Sequence, residues 1–237
     1  YQYLQVISKG EGDEKSTHLK INEGLDSFHS VAFENSPFTQ GSYYDYHVVM
    51  PFLAGDGKAP ANLRVLSLGE AAGTFGRVYS HVHKVCSLDA VEIDPVVMTL
   101  GDEFFLGDRP EGDRFPVDAR VFVENTQRSY DVVLVDTYKH QIYLPSHVAS
   151  AQFFSAVHRV LNAGGIVSVN AGGTRYSDPV VRVMCSTMAS VFGVAHAYRV
   201  PNSRNFVLVA RKGRAVDPGC LAQVATEDPV LAAVLKK

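Results

Sequence analysis

Apolar and polar positions change their period along this chain. Over the first forty residues they alternate in short runs: Tyr3-Leu4-Gln5-Val6-Ile7, then His18-Leu19-Lys20-Ile21, then a third run over 28–33. Polar turns at Gly10-Glu11-Gly12-Asp13-Glu14 and Asn22-Glu23-Gly24 separate them. Short alternating runs between turn residues predict a small β hairpin or meander layer over residues 1–40. Residues 43–53 then carry apolar and aromatic side chains at helical spacing and stop at Gly55-Asp56-Gly57, which predicts one helix.

From residue 63 strand and helix periods take turns. The predicted strands are 65–68, 85–93, 117–123, 131–135 and 166–169, with a final antiparallel pair at 195–200 and 206–211. The predicted helices are 74–81, 95–105 opened by Pro95, 146–161 capped by Ser146 and closed by Gly164-Gly165, and 178–192. Continuous apolar strands between amphipathic helices belong to parallel sheets covered on both faces. The fold class that follows is α/β. It is a Rossmann-like, doubly wound, mostly parallel sheet with an antiparallel C-terminal strand pair, behind the N-terminal β layer. Residues 41–237 form that α/β domain. No internal repeat or low-complexity tract interrupts it.

Charge and cysteine content narrow the function classes. Across 237 residues, 22 Lys+Arg stand against 25 Asp+Glu, so no basic surplus predicts a nucleic-acid partner. No apolar run approaches the roughly 20 residues that span a bilayer. Cys86, Cys185 and Cys220 are far apart and odd in number, which predicts neither a disulfide framework nor a zinc site but a reducing, cytoplasmic setting. His81 and His83, two apart, diverge on a helix, so no metal is expected. The chain opens at Tyr1 rather than Met, and a longer parent protein is the expectation.

Three segments carry chemistry. In Leu63-Arg64-Val65-Leu66-Ser67-Leu68-Gly69-Glu70-Ala71-Ala72-Gly73-Thr74 a strand enters a glycine-bearing turn ahead of a helix. Such a turn lets backbone approach a ligand at a helix N-terminus. Glu92 stands at a strand end 23 positions after Gly69, where an acid accepts hydrogen bonds from ribose hydroxyls. Asp94 before Pro95 reads as a helix cap. Asp136 ends the apolar run Val132-Val133-Leu134-Val135 at the carboxyl edge of the sheet. A carboxylate over an apolar floor has its pKa raised toward that of a working base.

In order and spacing, these segments resemble the spermidine synthase (polyamine aminopropyltransferase) family of class I S-adenosylmethionine-dependent transferases. The likeness extends to Tyr1-Gln2-Tyr3, to Gly41-Ser42-Tyr43-Tyr44-Asp45-Tyr46-His47, and over nearly the whole chain. Ile142-Tyr143-Leu144-Pro145-Ser146-His147 and Asn205-Phe206-Val207-Leu208-Val209-Ala210 look closest to a divergent bacterial branch, some members of which are fused to membrane segments.

The resemblance implies aminopropyl transfer from decarboxylated S-adenosylmethionine to a small amine, with Asp136 as the base and a homodimer as the assembly. On the cofactor side it implies Gln2, Gly69, Glu70, Gly73, Glu92, Ile93, Thr137, and Asn125 near the adenine, where the family has Asp-Gly or Asp-Ala. On the substrate side it implies Tyr43, Asp45, Tyr138 and Tyr143. Two family acids are missing, replaced by Ala72 and Lys139, with Glu70 or Asp45 as substitutes. Those losses keep open two alternatives: methyl transfer from intact S-adenosylmethionine to a small molecule, and a non-catalytic nucleoside-binding domain.

Overall fold

The structure is a computed structural model that describes residues 2–22, 28–84, 86–105, 107, 109–138 and 144–236. Strands β1 (Leu4–Lys9), β2 (Ser16–Ile21) and β3 (Ser30–Phe33) form an antiparallel sheet in that order. The segment read as one helix over 43–53 is two, α1 (Tyr43–His47) and α2 (Met50–Ala54). Pro51 has no N–H to give the His47 carbonyl, so the helix cannot run through. Tyr79 Oη donates to that carbonyl instead, at 2.8 Å.

The α/β part follows as β4 (Leu63–Leu68), α3 (Thr74–Val82), β5 (Cys86–Glu92), α4 (Pro95–Phe104), β6 (Arg114–Pro116), α5 (Ala119–Asn125), β7 (Tyr130–Val135), α6 (Ala151–Val160), β8 (Leu161–Gly172), α7 (Pro179–Phe192), β9 (His196–Arg199), β10 (Asn205–Arg211) and α8 (Pro229–Leu235). The seven strands lie in the order β6-β5-β4-β7-β8-β10-β9, parallel except for β10, which runs antiparallel to both neighbours. Strand order reverses between β4 and β7, the switch point at which open α/β sheets bind ligands. Alternate strand residues feed two cores. Val65, Ala90, Val132 and Leu134 pack toward α1, α2 and α3, while Leu66, Val91, Val133 and Val135 pack toward α5, α6 and α7.

Two predicted elements are corrected. Residues 117–123 are not a strand: Asp118 Oδ1 accepts from Arg120 N and Val121 N and starts α5. Val117, Val121 and Val123 imitate a strand, but the buried positions are Ala119, Phe122 and Val123, a helical face. The helix predicted from Ser146 begins only after Ser150, whose Oγ accepts from Phe153 N at 3.3 Å. It ends at Val160, and Gly164-Gly165 lie inside β8. Among the described residues no helix is long and apolar enough to cross a membrane.

Candidate active site

The site grows from three strand ends pinned together. After β4, Gly69 adopts φ +86°, and a Cβ there would fall 2.3 Å from the Asp136 carbonyl oxygen, so only glycine fits the turn. Asp136 N donates to Leu68 O at 2.9 Å, and Gly69 N and Glu70 N donate to Val91 O at 2.8 and 3.1 Å. Glu92 closes the group: its Oε2 accepts from Ala71 N and its Oε1 from Asp94 N, each at 3.1 Å. Burial pushes the Glu92 carboxyl above the usual range. The N-terminal sheet is clasped to the same turn, for Ala72 N donates to Ser30 Oγ at 2.9 Å and Val31 N to Thr74 Oγ1 at 3.0 Å.

Asp136 sits at the switch point between two opposed donors. Tyr43 Oη donates to Oδ2 at 2.7 Å and Asn170 Nδ2 to Oδ1 at 2.8 Å. Asn205 Nδ2 in turn donates to Asn170 Oδ1 at 2.8 Å, which orients the amide. Burial raises the Asp136 carboxyl to about 6, against the opposing pull of the Asn170 and Tyr43 hydrogen bonds. A carboxylate so held is an acceptor aimed at a cleft and poised near neutrality, the condition of a general base. Tyr138 stands beside it as a wall, donating to Asn170 O at 3.0 Å and accepting from Gly172 N at 2.8 Å.

These groups border a cleft of about 1870 Å³. Pockets for one small ligand measure roughly 300–1,000 Å³, so the cleft has room for two substrates at once. Gln2, Tyr43, Gly69, Glu92, Ile93, Asp136, Thr137 and Tyr138 border it, as predicted positions. The Thr137 hydroxyl is buried with no hydrogen-bond partner among the described residues, and Thr137 borders the cleft. The open turn at Gly69, the Glu92 carboxylate and this hydroxyl together suit an adenosine-type ligand.

Other predicted residues stand elsewhere. Glu70 faces a separate cavity of about 50 Å³ under the turn, beside Arg109 and Arg114, as does Gly73. Its Oε1 accepts from Gly76 N at 2.9 Å, and burial pushes the carboxyl up to about 7. Glu70 is therefore not a replacement for an acid at Ala72, whose own position is buried. Asn125 lies at the far end of α5 and off the cleft, its Nδ2 donating to Val121 O at 2.7 Å. The cleft residues there are Asp118 and Ala119; the helix carries residue 125 away from the sheet edge. Asp118 Oδ2 also meets His147 Nε2 at 3.0 Å. Tyr143 and Lys139 lie outside the described residues.

Asp45 is buried behind the cleft wall. Its Oδ1 accepts from Thr39 N at 2.9 Å and Thr39 Oγ1 at 2.8 Å, and its Oδ2 from Gly41 N at 2.7 Å. Asp45 thus builds the 39–42 loop rather than touching substrate. Asp45→Ala leaves two backbone N–H groups unpaired and is expected to cost about 2–4 kcal/mol of stability in urea titration, with a loop that no longer shapes the cleft. Unchanged stability would refute this bracing role.

The likeness to known proteins runs through the same parts. Residues 47–205 match the spermine/spermidine synthase domain. The chain is 32% identical over 220 residues to a probable polyamine aminopropyl transferase of Bifidobacterium longum, covering 90% of this chain and 45% of that protein. It is 27% identical over 173 residues to a polyamine aminopropyltransferase of Vibrio vulnificus, covering 71% of this chain and 56% of that one. The chain thus spans about half the length of the curated relatives it matches. A probable spermidine synthase from Corynebacterium glutamicum shares the fold with TM-score 0.75 at 20% identity, over 99% of this chain and 82% of that chain. The matched stretch holds the glycine turn, Glu92 and Asp136 at one sheet edge, and on it the chain belongs to the spermine/spermidine synthase family.

Proposed function

We propose that the chain transfers an aminopropyl group from decarboxylated S-adenosylmethionine to a small amine. The observation that carries the reading is Asp136, with a carboxyl raised to about 6 and two fixed donors, bordering a cleft sized for two ligands. Glu92, Ile93 and the turn at Gly69 hold the nucleoside, with Asp118 and Ala119 at the adenine end and Gln2 from the N-terminal layer above. Tyr43 and Tyr138 flank the acceptor. The amine nitrogen attacks the methylene carbon next to the sulfonium; the C–S electron pair goes to sulfur, and methylthioadenosine leaves. Asp136 takes the proton released by nitrogen, and the rest of the effect is positioning.

Incubation with decarboxylated S-adenosylmethionine and amines tests this through methylthioadenosine, measured by mass spectrometry. Its formation supports the proposal, whereas S-adenosylhomocysteine formed from the intact donor supports methyl transfer. One observation favours that second reading: with Ala72 buried and Glu70 turned away, the glycine turn presents no carboxylate to repel a donor carboxylate.

A positioning role for Asn170 has its own test. Its N–H bond favours the Asp136 carboxylate, so Asn170→Ala should raise that pKa further above about 6. The acid limb of the rate profile should then move up by about one pH unit, with activity largely recovered at high pH. An unmoved profile would show that Asn170 does not set the base.

A further inference from the structure

The nucleoside end of the cleft is a seam between two segments remote in sequence. Val117, Asp118 and Ala119, leading from β6 into α5, border it on one side, and Pro145, Ser146 and His147 on the other. Two contacts join the segments. His147 Nε2 lies 3.0 Å from Asp118 Oδ2, and Arg120 Nη1 donates to His147 O at 3.2 Å. The ring and the carbonyl of one residue are thus both tied to the start of α5. The paired side chains stay partly open to solvent, 46% for His147 and 29% for Asp118, so neither is sealed behind the wall.

The Asp118 carboxylate has little freedom left. Its Oδ1 accepts from Arg120 N at 2.8 Å and Val121 N at 3.1 Å, which uses both lone pairs of that oxygen. Burial opposes ionisation, but those N–H groups and the His147 ring hold the carboxyl below its usual range. An ionised carboxylate only accepts, so His147 Nε2 is the donor whichever charge the ring carries. Oδ2 then keeps one lone pair, and the His147 bond fixes where it points. Without His147 only Oδ1 is pinned, and Oδ2 can swing about it.

Resting on the reading of this end as the nucleoside site, we propose that His147 is a positioning residue for the base. It holds Asp118 Oδ2 so that the remaining lone pair accepts from an exocyclic amine, and the class selected is a 6-aminopurine nucleoside. A 6-oxopurine presents an acceptor at the same place, and lone pair then meets lone pair.

Calorimetry with 5′-methylthioadenosine and 5′-methylthioinosine, an amino and an oxo purine on the same methylthioribose, tests this. The natural chain should bind the amino nucleoside about 100-fold tighter. His147→Ala should narrow the ratio to about tenfold, chiefly by weakening the amino nucleoside. Circular dichroism should not change, because the ring is half exposed. His147→Gln places an amide N–H where Nε2 stood and should bring the ratio back to within about threefold of the natural one. His147→Asn, one methylene shorter, should not. A residue that only braces its own segment would weaken both nucleosides alike and leave the ratio unmoved. A natural ratio near one, a ratio unchanged in His147→Ala, or a Gln variant no better than the Asn variant overturns the assignment of His147 and leaves nucleoside binding standing. If neither nucleoside binds, the nucleoside reading of the cleft fails and the assignment falls with it.

Discussion

Asp136→Asn is expected to lower turnover by about 10³-fold while changing nucleoside affinity by less than about threefold. The amide oxygen still accepts from Tyr43, with the new NH2 turned to the Asn170 side, and an amide takes no proton at neutral pH. Methylthioadenosine release measures the first quantity and calorimetry the second. More than a tenth of normal turnover in the variant would remove Asp136 from the role of base.

Two pH dependences accompany that result. Since a base must be ionised, the rate of the natural chain should rise with pH through about 6 and then level. Stability should move the opposite way. The folded carboxyl holds its proton up to about 6 and the unfolded one only to about 4, so its stabilising contribution is fully present below pH 4 and is lost as pH rises through 6. Asn cannot ionise and avoids that loss, which is of order 1–3 kcal/mol. The variant should therefore match the natural chain in Tm near pH 4 and exceed it near pH 8. A Tm difference that does not vary with pH would mean that the carboxyl is not raised.

The parallel strands were legible because their residues are apolar on both faces: Val132, Val133, Leu134 and Val135 have no exposed surface. Where they end, an acid is conspicuous, and so Glu92 and Asp136 could be picked out. The misreadings have local physical causes. Valines suggested a strand over 117–123 although a capping Asp118 starts a helix there, and Asn125, implied by the resemblance, lies off the cleft that Asp118 and Ala119 border. Glu70 adjoins the glycine turn in sequence, but Gly69 at φ +86° and Ala71 at φ +49° twist the backbone so that the side chain leaves the cleft. Asp45 looked like a substrate acid because nothing in its neighbours reveals that Thr39 and Gly41 consume it. Asn170 was missed, although a polar residue two positions beyond Ser168 in an otherwise apolar strand was a readable signal.

Glu92→Ala is expected to weaken methylthioadenosine binding by about 10–100-fold, a loss of roughly 1–3 kcal/mol. The carboxylate does two things at once. Each oxygen accepts one backbone N–H, from Ala71 and Asp94, and each keeps a further lone pair for a ribose diol in the cleft. Alanine removes both, so the turn at Ala71 loosens along with the diol contact. Glu92→Gln separates the contributions, since one oxygen remains to accept while the amide presents a donor at the other position. It should lose less than the alanine variant, with the folded state intact by circular dichroism. Because burial raises the Glu92 carboxyl, nucleoside affinity of the natural chain should also fall as pH drops into the range where that carboxyl gains its proton. The Gln variant should lack that acid dependence. Calorimetry across pH measures all three chains, and an alanine variant within threefold of the natural affinity would move the ribose contact away from β5 altogether.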